Sequence, residues 1–411
     1  MTFKENIKKF IPGFVLSVYH FKLALLGAFL FGFPGKNKEL KIIGVTGTNG
    51  KSTTVDFITK ILEEAGEKVA SISSIRFKLG EKEWENKYKM TMPGRFAIQK
   101  FLRQAYLPVG RQKTGCKYVV LEVTSEGIKQ FRHKFIDFDT VVFTNLGKEH
   151  IESHGGFENY RNAKLKLFEE NKNTHIINAD DENAKYFLDL PARKKITFSI
   201  KNIEAKKIKL NLLGDFNVYN ALSAIYVAKN YGIGMDVSLR ALEKIKGVPG
   251  RMEIIQKEPF MVVVDYAHTP EQLESVYKTL NPKPYTLNPK LICVLGSCGG
   301  GRDKWKRPVL GKIASKYCDE IIITNEDPYD ENPSQILSEI KSGISNSKFQ
   351  ISNFYEILDR KEAIKKAIEL AKAGDVVVIT GKGSELWMCV ENGKKIPWDD
   401  RKITKEALLW Q

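Results

Sequence analysis

The chain has 411 residues, of which 42% are hydrophobic and 28% charged. That is too long for one ordinary domain, and too apolar for a disordered chain; two or three globular units are expected. The net charge of +16 attracts polyanions, but the lysines are dispersed and no nucleic-acid-reading motif accompanies them, so a nucleic-acid partner is not expected. Five scattered cysteines (116, 293, 298, 318 and 389) lack paired spacing. This argues against a zinc ribbon or a disulfide framework and for a reducing cytoplasm.

The first predicted element is an apolar stretch over residues 10–35, "FIPGFVLSVYHFKLALLGAFLFGFPG". Its uninterrupted apolar core, Leu23 to Phe33, has eleven residues, too short to span a bilayer. Residues 13–33 are long enough but contain His20 and Lys22. No small-residue cleavage site follows, so a cleaved signal is not expected. The two readings are a helix docked on the protein or a partner, and a helix lying in a membrane interface.

"KIIGV" then reads as a buried strand, and "STTVDFITKILEEAGEKVA" as an amphipathic helix carrying Val55, Ile58, Ile61 and Leu62 on its apolar side. Between them lies "TGTNGK". The common phosphate-binding loop requires a glycine at the position of Val45; here Gly44 comes one residue early, and the loop turns on Gly47. Even so, strand, glycine turn and helix start leave backbone N–H groups aimed at an anion. Lys51 can neutralise phosphate, and Ser52 or Thr53 can offer a hydroxyl to Mg²⁺.

Further on, "KYVVLEVTSEGI", "FDTVVFTNLGKEH" and "HIINADDENAKYF" read as buried strands ending in polar residues, among them Glu122, Thr124 and His150. Strands alternating with helices predict a parallel sheet, whose ligands gather at the carboxyl ends of the strands. A helix over Asn220–Tyr231 closes this unit. "GVPGRMEII" reads as a hinge with Gly247, Pro249 and Gly250 as pivots. Beyond it, "FMVVVDYAHTP", "KLICVLGSCGGGRDKWKRP", "DEIIITNEDPYDENP" and "DVVVITGKGSE" predict a second open parallel sheet. The expected class is α/β: a central P-loop ATPase domain with a mostly parallel sheet (39–247), and a C-terminal Rossmann-like α/β domain (248–411). A short apolar arm (1–38) precedes them.

The order of "GVTGTNGKSTT", "LEVTSEGI", "FTNLGKEHIESHGGFENYRNAKLKLF", "LLGDFNVYNALSA", "GVPGRMEII", "VVDYAHTP", "GGGRDKWKRP" and "GKGSE" resembles the Mur ligases over about residues 41–405. Within them it resembles the UDP-N-acetylmuramoyl-tripeptide synthetase type. The resemblance implies an ATP- and Mg²⁺-dependent amide ligase of peptidoglycan precursor synthesis. Such an enzyme phosphorylates the acceptor's carboxylate and lets an amino acid's amine capture the acyl phosphate. By motif, Gly47, Thr48, Asn49, Gly50, Lys51, Ser52 and Thr53 would cradle ATP, with Asn217, Arg251, Asp265 and Arg360 on its sugar and base. Glu122 and His150 would hold Mg²⁺ with Ser52. Lys164 matches the lysine the family carbamylates, whose carbamate would orient a second Mg²⁺, Lys166 serving as its control. Thr91, Thr124, Gln130 and Arg132 fall where the family holds the UDP-muramoyl-dipeptide acceptor. Arg302, Glu326, Asp327, Gly381 and Glu385 fall where it holds the incoming amino acid.

Three departures from the pattern stand out. Diaminopimelate-adding members read Asp-Asn-Pro-Arg where this chain has "EDPY", Glu326 to Tyr329. Ser384 and Glu126 replace the family's usual histidines. Only about 40 residues, largely apolar, precede the loop where the family carries its uridine-binding domain. The expected location is therefore cytoplasmic, with peripheral contact of residues 10–35 with the inner membrane face or a protein as the added element. The competing readings are a same-fold ligase with a folylpolyglutamate-like or lipid-linked acceptor, and a non-catalytic nucleotide-binding partner.

Overall fold

β-branched and apolar residues fill two sets of short strands, and each set forms its own sheet. The computed structural model describes residues 12–88, 90–106, 115–281, 289–346 and 353–410. In chain order the first part comprises α1 (Gly13–Leu30), β1 (Lys41–Thr46), α2 (Lys51–Glu64), β2 (Val69–Ile72), β3 (Arg76–Leu79), β4 (Lys82–Glu85), α3 (Arg95–Tyr106), β5 (Tyr118–Glu122), α4 (Ser125–Lys129), β6 (Thr140–Phe143), α5 (Ile151–His154), α6 (Phe157–Glu170), β7 (Thr174–Asn178), α7 (Ala184–Leu188), β8 (Lys194–Phe198), α8 (Phe216–Asn230) and α9 (Met235–Glu243). The sheet runs β4-β3-β2-β5-β1-β6-β7-β8. It is parallel from β2 to β8, and β3 and β4 add an antiparallel edge.

Burial on both faces explains the near-continuous apolar strands. Along β1, Ile43 and Val45 join a core with Val55, Ile58 and Leu62 of α2 and with Leu222 and Ile225 of α8. Ile42 points the other way, into a core with Leu102 of α3 and Phe168 of α6. Gly44 shares that second face because a Cβ there would lie 2.7 Å from the Phe138 ring.

The second part comprises β9 (Glu253–Gln256), β10 (Met261–Val264), α10 (Pro270–Leu280), β11 (Leu291–Leu295), α11 (Lys306–Tyr317), β12 (Glu320–Ile323), α12 (Pro333–Ser345), β13 (Asn353–Glu356), α13 (Arg360–Leu370), β14 (Val376–Ile379), β15 (Trp387–Cys389), β16 (Lys395–Pro397) and α14 (Asp400–Leu408). Its sheet runs β13-β12-β11-β14-β10-β9 and is parallel except for β9. The capping box of Thr269 and Gln272 starts α10 after the end of β10.

One expectation fails here. Cys293 of β11 and Cys318 after α11 are joined by a disulfide. The sequence separation of 25 shows no motif. The fold makes the pair, because α11 returns its C-terminal end beside β11, with a Cα–Cα distance of 6.2 Å. The cysteines therefore give no argument for a reducing compartment. Cys116, Cys298 and Cys389 form no disulfide among the described residues.

The segment read as a hinge is tightly packed. Gly250 has φ +62°, and a Cβ there would lie 2.1 Å from the backbone N of Ser384. Only a residue without a side chain lets this connection pass so close to the second sheet's final loop.

Candidate active site

The two sheets meet along their carboxyl edges, and a cleft of two lobes opens between them. One lobe, of about 410 Å³, is bounded by the Gly-rich loop and by residues of α8 and α10. The other, of about 340 Å³, is bounded by the second sheet's loops and by residues 124–132 of the first. Thr91, Thr124, His150 and Arg251 line both lobes, so the cleft is continuous.

In the first lobe the loop is held from behind by the end of β6. Thr144 Oγ1 donates to Asn49 O at 2.8 Å, and Asn145 Oδ1 accepts from Asn49 N at 2.8 Å. Two glycines are required. A Cβ on Gly47 would lie 1.9 Å from Thr144 Oγ1, and one on Gly50, at φ +78°, would lie 2.1 Å from Asn220 Oδ1. Lys51 opens α2 and donates to Thr48 O at 2.7 Å. Ser52 Oγ donates to Glu122 Oε2 at 2.9 Å, and Ser74 N donates to the same oxygen at 2.9 Å. This hydroxyl and carboxylate at a helix N-terminus are hard oxygen donors, the chemistry Mg²⁺ requires.

Arg251 crosses from the second unit. Its guanidinium stacks 4.1 Å over Tyr266 and lies 3.4 Å from Ser52 Oγ and 3.3 Å from Ser74 Oγ. That position puts a cation over the Gly47–Thr53 turn, rather than on the sugar and base side expected from sequence. Asn217 is buried and donates to Leu213 O at 2.7 Å. Asp265 accepts from Met252 N at 2.7 Å and Ala267 N at 2.6 Å. Both line the lobe.

His150 takes a left-handed conformation, φ +56°, at the start of α5. Arg302 lies within hydrogen-bond reach of its Nδ1, at 3.4 Å. Burial, with Arg302, Lys164 and His268 nearby, lowers its pKa to about 4 against the opposing Glu149. His150 is therefore neutral at pH 7, the form that can ligate a metal. Beside it, burial would raise the Glu149 carboxyl, but His150, His268 and Lys51 hold it well below the ordinary value.

Lys164 does not line the cleft. It lies behind the loop, 1% exposed, and donates to Gly47 O at 2.7 Å. Burial, and then Lys51, push its amine well below the ordinary lysine value. Lys166 is exposed.

In the second lobe, Arg132 donates to Met92 O and to Gln130 Oε1, the latter at 2.8 Å, so the two predicted acceptor residues brace each other. Thr124 caps α4 by accepting from Gly127 N at 3.1 Å. Opposite them is an acidic floor. Lys382 Nζ pairs with Asp327 Oδ1 at 2.9 Å and with Glu385 Oε2 at 3.0 Å. Cys298 Sγ donates to Glu326 Oε1 at 2.8 Å. Burial, then Glu326 and Asp327, push the Cys298 thiol up, which keeps it protonated for that role. Glu326 is 1% exposed, and its Oε2 has no hydrogen-bond partner among the described residues. Gly381 is required beside it, since a Cβ there would lie 2.5 Å from that oxygen.

The chain matches the model of the Mur ligase middle domain over residues 45–207 and that of the Mur ligase glutamate ligase domain over residues 250–383. The chain belongs to the Mur ligase family. It is 38% identical to a UDP-N-acetylmuramoyl-L-alanyl-D-glutamate–2,6-diaminopimelate ligase of Syntrophomonas wolfei, over 94% of this chain and 81% of that protein. It is 34% identical to a UDP-N-acetylmuramyl-tripeptide synthetase of Roseiflexus, with the same coverages. A solved UDP-N-acetylmuramoyl-L-alanyl-D-glutamate–2,6-diaminopimelate ligase covers 91% of this chain and 79% of its own, at 32% identity and a TM-score of 0.57. Mycobacterium tuberculosis folylpolyglutamate synthase complexed with ADP, at 15% identity and a TM-score of 0.67, shares the fold.

Within this Mur ligase, one predicted nucleotide residue lies elsewhere. Arg360 is fully buried at the start of α13, bonded through Nε and Nη2 to Asp400 at 2.9 and 2.7 Å, with Nη2 also donating to Thr380 O. An arginine beside a helix start gives the same local signal whether it faces a ligand or a distant aspartate, and Asp400 is remote in sequence. Sequence reasoning also missed the contacts that join the two units across the cleft. His268 Nε2 lies 2.8 Å from Glu149 Oε1, and Asp303 accepts from Ile151 N and Glu152 N at the start of α5. "DYAHTP" and "GKEH" carried the first pair as motif text, without its pairing. Ser74 gave no signal at all.

Proposed function

We propose that this Mur ligase joins an amino acid with a side-chain ammonium to a UDP-N-acetylmuramoyl-dipeptide-type acceptor, at the expense of ATP. ATP occupies the first lobe, with its phosphates on residues 47–53. The acceptor reaches from Thr91, Thr124, Gln130 and Arg132 toward the loop. One oxygen of its terminal carboxylate attacks the γ-phosphorus, and ADP leaves. The amine of the incoming amino acid then attacks the acyl carbon, phosphate leaves, and the amine proton passes to solvent or a nearby base.

Lys51 and Arg251 offset charge on the transferring phosphoryl group, and the loop amides fix its position. Ser52, Glu122 and His150 would hold Mg²⁺, which would supply positive charge to offset that of the phosphates. A neutral amine is the form that adds CO₂, so the depressed Lys164 supports its assignment as the family's carbamylated lysine. Arg302 would grip the α-carboxylate of the amino acid, as a planar fork suits that group.

The observation that carries the choice of amino acid is Glu326, a buried carboxylate with one oxygen unpartnered at the floor of the second lobe. An ammonium would satisfy it. Tyr329 stands where the resemblance expects an arginine for a second carboxylate, so lysine or ornithine fits better than diaminopimelate. Diaminopimelate carries the same ammonium with a second carboxylate beside it, and the relatives named as its ligases favour that choice over lysine. The deciding experiment is phosphate release from ATP with UDP-muramoyl-dipeptide and a panel of lysine, ornithine, diaminopimelate and norleucine. Turnover with norleucine equal to lysine would sink the ammonium reading. Turnover with diaminopimelate far above lysine would transfer the assignment to the relatives' substrate.

A further inference from the structure

Helix α1 is docked along one side only. Its small residues Ala24, Gly27 and Ala28 are buried against α3, and a Cβ on Gly27 would lie 3.6 Å from the Arg95 carbonyl. Phe21 packs on the rings of Phe131 and Phe135, at 5.9 and 5.6 Å, and Arg103 donates to Phe31 O at 2.9 Å. The outward side is open and largely apolar, with Lys22 exposed along it. Phe14 is 72% exposed, Phe29 68% and Leu30 58%, and Val18, Tyr19 and Leu26 are exposed with them. Isolated exposed apolar residues need no explanation, but a contiguous helix face does.

The surroundings of this face are predominantly basic, with the exposed carboxylates of Glu39 and Asp137 at its margin. Residues 12–38 contain Lys22, Lys36 and Lys38 and no carboxylate. Residues 91–106 contain Arg95, Lys100 and Arg103, and residues 129–135 contain Lys129, Arg132 and Lys134, again with no carboxylate. Among the described residues Lys134 reaches Glu170 and Arg95 donates to Gln130 O. Lys22, Lys36 and Lys38 stand exposed. An apolar stripe flanked by cations is complementary to a surface with a hydrocarbon interior and anionic headgroups.

We propose that α1 seats this ligase on an anionic lipid bilayer, lying in the interface. Spanning is disfavoured by the docking itself. A helix that crossed the bilayer while packed on α3 would carry Arg95, Lys100 and Arg103 into hydrocarbon. The placement has a geometric consequence for the site. Arg95 of α3 donates to the carbonyl of Gln130, which lines the acceptor lobe, so the bound lipid surface lies on the acceptor side of the cleft.

The test is sedimentation of the full chain with vesicles of phosphatidylcholine alone and with 30% phosphatidylglycerol (a composition of roughly that order gives a strongly anionic surface). It reads binding without turnover, so its failure is distinct from failure of the ligase reading. Binding is expected to the anionic vesicles, to weaken as salt rises, and to drop about fivefold per lysine in Lys36→Gln and Lys38→Gln. The double variant Leu26→Glu/Phe29→Glu should abolish it with an unchanged thermal midpoint, since both side chains are exposed. Absence of binding, or binding unchanged in the double variant, overturns the proposal. So does a dimer in sedimentation equilibrium that the double variant dissolves, because a second copy then covers the face. Resistance of the vesicle-bound protein to alkaline carbonate overturns the interfacial placement in favour of spanning.

Discussion

The two lobes of the cleft are built by opposite means. The lobe proposed for ATP is centred on a contiguous turn, Gly47 to Thr53, which offers backbone N–H donors at a helix start and whose lysine is anchored three residues away on Thr48 O. The amino-acid lobe is assembled from Cys298, Glu326, Asp327, Lys382 and Glu385, side chains drawn from three loops of the second sheet. Lys382 pairs with Asp327 and Glu385, while one oxygen of Glu326 has no hydrogen-bond partner among the described residues. A lobe made of backbone tolerates little variation in shape, whereas a lobe made of side chains can change substrate by one substitution. The chemistry common to a family belongs in the first, and its specificity in the second.

That contrast can be broken at several points. Lys382→Met leaves Asp327 and Glu385 without their shared cation at a buried site. The expected cost is about 3–5 kcal/mol of stability, read from the urea midpoint; a neutral result would mean the floor is not held by charge. In the nucleotide lobe, Lys51→Ala and Lys164→Ala should each lower acceptor-dependent ADP formation by about 10²–10³-fold, while Lys166→Ala leaves it unchanged. Wild-type rates in Lys164→Ala without added bicarbonate would remove Lys164 from the machinery.

The boundary between the lobes predicts a pH effect. His150 has a folded pKa of about 4, below its unfolded value near 6.5. Its contribution is intact above pH 6.5. As pH falls from 6.5 to 4 the unfolded chain takes up a proton that the folded protein refuses, so stability drops, by up to about 3 kcal/mol. Unfolding of wild type and His150→Ala should therefore converge in slope above pH 7 and diverge between 6.5 and 4; parallel curves throughout would contradict the burial of a neutral ring.

Smaller effects sharpen the specificity side. Glu326→Gln should raise the KM for a cationic amino acid by about ten- to a hundredfold, the worth of a hydrogen bond to a charged group, with the KM for ATP unmoved. An equal rise in both would show a structural role only. Tyr329→Arg should shift the preference toward diaminopimelate by about tenfold, through a new guanidinium–carboxylate contact; no change in the lysine-to-diaminopimelate ratio would separate position 329 from the side-chain pocket.

Apolar runs were sufficient for four strands of each sheet, since strands buried on both faces must be apolar throughout; β2 to β4, β8, β9 and β13, with the antiparallel edges, were not read. The turn from 47 to 53 was legible as a strand–turn–helix junction because its residues are neighbours in the chain. Arg360 was misplaced, the Cys293–Cys318 bridge was missed, and Arg251 moved from the sugar side to the phosphate turn. Each depends on a partner tens to hundreds of residues away, and local pattern holds no information about such partners.

By itself, then, the order of residues determined the α/β architecture, the anion-binding turn and the set of polar strand ends from which a site could be made. Tertiary structure decided which of those ends face one another, which lysine is buried enough for its pKa to fall, and which carboxylate keeps an oxygen without a partner among the described residues. The physical reason is that hydrogen-bonded turns and apolar periodicity are short-range, whereas desolvation and charge pairing are set by whatever the whole fold brings within a few ångströms.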